Sequence, residues 1–320
     1  MKKVIFDTDI GIDDAMALLF LHFSPEVELQ AIVSGFGNAD IATTTRNALY
    51  IKQRFGITAP VYRGAGEALG PRLGEGYPDF VHGRNGLGDI ELAEPAVAAE
   101  AMPGPDAIVD IVTNNPHEIS IVAVGRLTNL ALALEQFPGL PALVKEVVVM
   151  GGSFGRNGHG GNVSPVAEAN IAGDPLAADR VFAAAWPLTI VGLDVTHESV
   201  IDEAFFASLR AAAGDAGEFI FAISRCYLDF HERITGRRAC PVHDSSAVAC
   251  LLKPSAYTTE SVAVRVATEG VAIGQTIAGD PAADYASAAW RDRSTCEIAV
   301  GVDAHSVLDL YRTTLALAAN

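Results

Sequence analysis

Short unbroken runs of Val, Ile and Leu alternate along this chain with longer stretches in which apolar residues return every three or four positions. VIFD (4–7), LQAIVSG (29–35), ISIVAVG (119–125), EVVVMGG (146–152) and LTIVGLD (188–194) read as buried strands. The intervening periodicity predicts helices over Asp13–His22, Ile41–Phe55, Pro105–Thr113, Asn129–Glu135, Pro175–Ala185 and Asp202–Ala213. A long helix is expected over about 217–234 and another from Asp244 to Leu252. Strands and helices in regular alternation make βα units, so the expected fold class is α/β with a mostly parallel sheet flanked by helices. No repeat or low-complexity linker divides the sequence, and the Gly/Pro-rich stretches 64–78, 83–88 and 151–161 read as loops. One domain over 1–320 is expected, with little to hold the glycine-rich loop 151–161 rigid.

Polar residues collect at the carboxyl end of every predicted strand. Asp7 and Asp9 follow the first, Gly37-Asn38 the second, GRLTN (125–129) the third, MGGS (150–153) the fourth and Asp194 the fifth. Ligands of open parallel sheets bind in the crevice along that edge. The first cluster is the densest: DTDIGIDD (7–14) sets Asp7, Asp9, Asp13 and Asp14 within eight residues. Lys3 lies about 20 Å from Asp9 if the segment is extended at ~3.3 Å per residue, too far to neutralise it. One reading makes Asp13 an N-cap and the rest surface acids. A helix dipole, however, offers only about half a unit charge, and a hard cation with oxygen ligands, Ca²⁺ or Mg²⁺, balances converging carboxylates better. An exposed carbonyl in the GRLTN turn and the His243-Asp244 pair of VHDSSAVA (242–249) are candidates to complete such a site. Local sequence leaves Asp244 equally readable as a plain N-cap.

Composition narrows the partners. Half of the 320 residues are apolar and 19% are charged, which suits a globular chain with a large core. A net charge of −17 without a basic stripe argues against nucleic acid and favours cations. No apolar run reaches the roughly 18 residues that span a bilayer, and Asp7 and Asp9 interrupt the amino-terminal apolar stretch too early for a secretory signal. A soluble cytoplasmic protein without membrane contact is the expectation. Cys226, Cys240, Cys250 and Cys296 show no CxxC spacing and read as reduced core thiols.

Taken together, DTDIGIDDAMAL (7–18), GN (37–38), HGRNGLGD (82–89), LTN (127–129), VVMGG (148–152), GNVSPVAEANIAGDP (161–175), GLDVTH (192–197) and VHDSSAVA (242–249) resemble, in order, the inosine–uridine-preferring nucleoside hydrolases. The resemblance implies a Rossmann-like single domain that hydrolyses ribonucleosides to base and ribose by direct attack of a metal-held water. It implies Ca²⁺ held by Asp9, Asp14, the Thr128 carbonyl and Asp244, with Asp9 also the base. Asp13, Asn38, Asn162, Glu168 and Asn170 match ribose-hydroxyl contacts, and His82 and His243 match histidines near the departing base. Side chains of 225–240, among them Tyr227 and His231, approach the base in relatives. Relatives are commonly dimers or tetramers, so a homo-oligomer is implied, and the activity implied is nucleoside salvage.

The residue types suit that chemistry. Cleaving an N-glycosidic bond builds positive charge at C1′ and the ring oxygen, which carboxylates stabilise. Histidine titrates in the range needed to protonate a leaving base. Singly, each residue has a plainer reading: Asn38 as a turn residue, Asn162 as a loop residue, His82 and His243 as structural. Glu168 and Asn170 are expected to share a face only if AEAN is extended. Tyr227 and His231, four apart, share a helix face, which an ordinary amphipathic helix also explains. Ile10, Ala169, Ser245 and Arg126 depart from the family pattern, with Arg126 expected at the rim and Ser245 opening the last predicted helix at its first position. Two rivals remain at this stage. One is a haloacid-dehalogenase-like phosphatase, which also places DxD after its first strand, and the other a non-catalytic metal-dependent nucleoside- or sugar-binding protein.

Overall fold

In the computed structural model, which describes residues 1–74, 76–291 and 293–319, the amino-terminal apolar run forms a strand buried on both faces. Val4 and Phe6 of β1 (Lys2–Thr8) enter one core and Ile5 the other. The same alternation holds in β2 (Val27–Ser34), where Ile32 faces one core and Ala31 and Val33 the other. Burial on two faces is why these strands read as continuous apolar runs and not as alternating ones.

The remaining strands are β3 (Val61–Arg63), β4 (Ile119–Ala123), β5 (Glu146–Met150), β6 (Leu188–Val191), β7 (Val200–Asp202), β8 (Ala239–Pro241), β9 (Tyr257–Val266), β10 (Thr276–Gly279) and β11 (Thr295–Val302). Nine of them build one sheet in the order β10-β9-β11-β6-β5-β4-β1-β2-β3, and β7 and β8 form a separate antiparallel pair. From β3 through β6 to β11 every neighbouring pair is parallel, and β9 runs antiparallel to both β10 and β11. Helices Ile12–Phe23, Ile41–Phe55, Gly214–Thr235 and His243–Leu252 cover one face, and Gly104–Asn114, Thr128–Gln136 and Pro175–Ala183 the other. The result is a single α/β domain with the mostly parallel sheet that the sequence implies.

Strand order reverses at β1, which pairs with β2 on one side and β4 on the other. That junction is the switch point at which such sheets bind ligands, and DTDIGIDD leaves β1 there. All four cysteines are unpaired, three of them buried and Cys226 partly so. Among the described residues no helix is long and apolar enough to cross a membrane.

Candidate active site

The segment after β1 is held by its own acids. Asp14 closes the turn back on itself: Oδ1 accepts from Thr8 Oγ1 (2.6 Å) and the Asp9 N–H (3.1 Å), and Oδ2 from the Gly11 N–H (2.9 Å). The N-cap of the following helix is therefore Gly11, with Asp14 supplying the returning bond of a capping box. Asp13 is not the cap, and its carboxylate is left for the cavity that opens above. Asn38, arriving from the end of β2, gives its side-chain amide to Asp14 Oδ2 (2.7 Å) and its backbone N–H to Asp9 Oδ2 (2.8 Å). Asp9 is clamped between two glycines: a Cβ on Gly37 would stand 1.7 Å from Asp9 Oδ2, and one on Gly125 2.7 Å from Oδ1. Only glycine lets β2 and β4 close on this carboxylate.

From the other side Asp244 joins the cluster. Carboxylate oxygens of Asp13, Asp14 and Asp244 lie within 4.8 Å of one another. Asp244 is not an N-cap, because the helix begins at His243 with Val242 before it; Ser245 is accordingly its third residue and not its first. Asp9 Oδ1 and Asp13 Oδ1 are buried without a hydrogen-bond partner among the described residues. Burial pushes the Asp9 and Asp244 carboxyls well up, and neighbouring acids push them further; Asp13 rises to about 6, chiefly through burial. Arg126 alone among basic groups offsets Asp9. Oxygen-only donors, orphaned lone pairs and mutual repulsion are what a divalent cation would satisfy, so the residues present fit Ca²⁺. The tightest triad contains Asp13 where the sequence resemblance implied Asp9. Asp9, Asp14 and Thr128 lie beneath the cavity and not on its lining. Thr128 opens its helix and ties its hydroxyl to Asp174 Oδ2 at 2.7 Å.

The cavity measures about 380 Å³ and is lined by Asp13, Asn38, Asn162, Glu168, Asn170 and Asp244 at its polar end. Glu168 and Asn170 reach it without the extended stretch that their spacing seemed to require. Glu168 caps the short helix Ala169–Gly173, accepting from the Asn170 and Ile171 N–H groups, so only the cap residue is extended. Asn162 Oδ1 accepts the Ala169 N–H (3.0 Å), and Asn170 Nδ2 donates to the Val124 and Met150 carbonyls (2.7 and 3.1 Å). Asn162 Nδ2 and Asn170 Oδ1 are what remain for a ligand.

Imidazoles and a phenol form the next layer. His82 Nδ1 accepts the Ile12 N–H at 3.1 Å, and burial presses its pKa to about 4. Tyr227 Oη donates to Asp13 Oδ2 (3.3 Å) and its ring meets His231 edge-on at 4.7 Å, so the shared helix face faces the cavity. Burial likewise lowers His231 to about 4. His243 Nδ1 pairs with Thr196 Oγ1 (2.8 Å), and burial presses its pKa well down, helped by three neighbouring histidines. One of these, His197, lines the cavity and stands between His243 (5.3 Å) and His159 (4.9 Å). Sequence reasoning quoted GLDVTH but passed over this histidine, because no spacing marks it as polar lining.

Two expectations are corrected. The loop 151–161 is tied down: Asp194 accepts from the Phe154 and Arg156 N–H groups, Asn157 Nδ2 donates to the Asp194 and Val300 carbonyls, and His159 pairs with Glu198. Asp194, expected at the crevice, serves this loop. Arg126 is not at the rim but folds beneath the site, its guanidinium over the Phe36 ring at 4.5 Å; a Cβ on Gly173 would clash with its Nε at 2.1 Å.

Comparison with known proteins agrees with this site. The sequence model for inosine-uridine preferring nucleoside hydrolase matches residues 4–309. Uridine nucleosidase 1 of Arabidopsis thaliana is 34% identical over 319 residues, covering 98% of this chain and 93% of that protein. A plant nucleoside hydrolase, PpNRh1, superposes with a TM-score of 0.93 at 35% identity, covering 98% of this chain and 99% of that one. A purine-preferring ribonucleoside hydrolase from Gardnerella vaginalis gives 0.91 at 33% identity over 99% of both chains.

Proposed function

Because this chain belongs to the inosine-uridine preferring nucleoside hydrolase family, and so is an enzyme that cleaves the N-glycosidic bond of ribonucleosides, we propose that it works with Ca²⁺ held by Asp9, Asp14, the Thr128 carbonyl and Asp244. The observation that supports this is the pair of buried, unpartnered oxygens, Asp9 Oδ1 and Asp13 Oδ1, in a cluster with one nearby cation. When bound, the ion supplies positive charge that orients and acidifies water.

Asp9 is the group that takes the proton from the attacking water, its geometry fixed by Asn38 and the two flanking glycines. Asp13, Asn38, Asn162, Glu168 and Asn170 hold the ribose hydroxyls. The carboxylates among them stabilise the cationic sugar as the bond to the base breaks. Attack without a covalent intermediate inverts C1′. His82, Tyr227 and His231 surround the base. His243, with Nδ1 on Thr196, hands a proton from Nε2 to the departing base, whose growing negative charge offsets the burial that otherwise disfavours imidazolium. The biological setting proposed is salvage of purine and pyrimidine nucleosides in the cytoplasm by a homo-oligomer.

A panel of inosine, uridine, cytidine and adenosine, assayed with and without a calcium chelator, tests the central reading. Turnover is expected to fall to background on chelation and return with added calcium, and chelator-resistant turnover contradicts the metal assignment. Loss in His243→Ala should be selective. A drop of about 10²-fold or more is expected on natural nucleosides, with p-nitrophenyl riboside, whose leaving group needs no proton, affected much less. Equal losses on both contradict the acid role.

A further inference from the structure

Large apolar side chains exposed to solvent are scattered over most of the surface, yet four of them gather at one mouth. Phe80 and Ile234 (each 62% exposed), Val163 (48%) and Val200 (39%) all line the cavity above the acid cluster. Single exposed apolar residues need no explanation, whereas a patch rimming a ligand cavity does. Three of the four, Phe80, Val200 and Ile234, stand on the side walled by the imidazoles. They come from separate elements: the short helix Asp79–His82, strand β7 and the helix Gly214–Thr235. On that last helix Tyr227, His231 and Ile234 share a face at spacings of four and three, so the wall changes from phenol to imidazole to alkyl on the way out.

The distances separate this rim from the base. Tyr227 touches Asp13 at the sugar end, and Ile234 lies seven residues further on, about 10 Å along the axis at 1.5 Å per residue. A purine carries its exocyclic nitrogen five bonds from C1′, and at about 1.3–1.5 Å per bond it reaches no more than about 7 Å. A ribonucleoside seated on the acids therefore ends short of Ile234. We propose that the mouth is a subsite for an apolar substituent on the outer edge of the base, so that ribonucleosides with alkylated or arylated bases are substrates of this enzyme. This rests on the nucleoside-hydrolase reading of the cavity floor. Phe80, packed against Phe230 at 5.8 Å between ring centres, supplies a flat apolar surface opposite Ile234.

The test compares kcat/KM for adenosine with its N6-methyl, N6-butyl and N6-benzyl derivatives, and for uridine with 5-alkyl uridines, in the calcium-loaded protein. In at least one series kcat/KM is expected to rise through a lower KM, by roughly fourfold for each methylene that the mouth buries. Ile234→Ser and Phe80→Ser, both at exposed positions, should bring the ratio of alkylated to parent substrate towards one. Parents turned over with no gain on alkylation in either series overturn the proposal alone. A ratio untouched by both variants overturns it too, as does an equal loss on parent and alkylated substrates, which marks the rim as a closing surface. Failure to turn over any nucleoside, parent or alkylated, sinks the underlying reading instead.

Discussion

Asp9→Ala is expected to lower nucleoside turnover by about 10³-fold or more while the chain folds and melts much as the parent does. The kinetic half follows from placement: Asp9 stands at the strand-order switch, with Oδ2 fixed by the Asn38 N–H at 2.8 Å and Oδ1 buried without a protein partner. The stability half follows from electrostatics. Burial and the Asp14 charge both disfavour ionised Asp9 in the folded chain, so removing it relieves repulsion and forfeits one backbone hydrogen bond, a net effect of about 1 kcal/mol. Steady-state rates on uridine and p-nitrophenyl riboside beside a thermal melt decide it. A variant with near-parental kcat refutes the role given to Asp9.

Asp14→Ala should cost both activity and stability. Asp14 is fully buried and accepts four hydrogen bonds, from Thr8 Oγ1, the Asp9 and Gly11 N–H groups and Asn38 Nδ2. Truncation orphans donors in the interior at about 1–3 kcal/mol each, partly relieved where water enters. A loss of about 3 kcal/mol is expected, roughly 5–10 °C in melting temperature for a chain of this size. Turnover disappears as well, since Asn38 and the Asp9 backbone lose the group that holds them. Differential scanning calorimetry separates the two aspartates: a melt unchanged from the parent would mean that the Asp14 bonds do not brace the turn.

The residues that make this site were legible because they sit on β1, β4 and their following turns, where burial on both faces produces unmistakable apolar runs and polar residues stand out at their ends. β9, β10 and β11 were not. β9 exposes Thr258, Thr259, Glu260 and Ser261 before its apolar half begins, and a strand solvated on one side along part of its length carries a weak pattern. Short β7 and β8, which help wall the cavity, hold too few residues for any period to show. The glycine-rich loop 151–161 misled because composition reports backbone freedom but not the partner that removes it, and Asp194, some forty positions on, is that partner. Arg126 misled for a related reason: the space that receives its guanidinium is made by Gly173 and Phe36, neither of them near it in sequence. The Glu168–Asn170 pair was found by the family pattern while its geometry was not, because one N-cap residue changes direction within a single step.

The half-committed amides of Asn162 and Asn170 give the sugar end of the cavity a fixed polarity. Neither side chain can flip without breaking a bond to the backbone, so one presents hydrogens and the other an oxygen. A hydroxyl meeting Asn162 must accept and one meeting Asn170 must donate. An epimer with a single inverted carbon cannot satisfy both, which makes this rim a stereochemical filter for pentoses before any bond is broken.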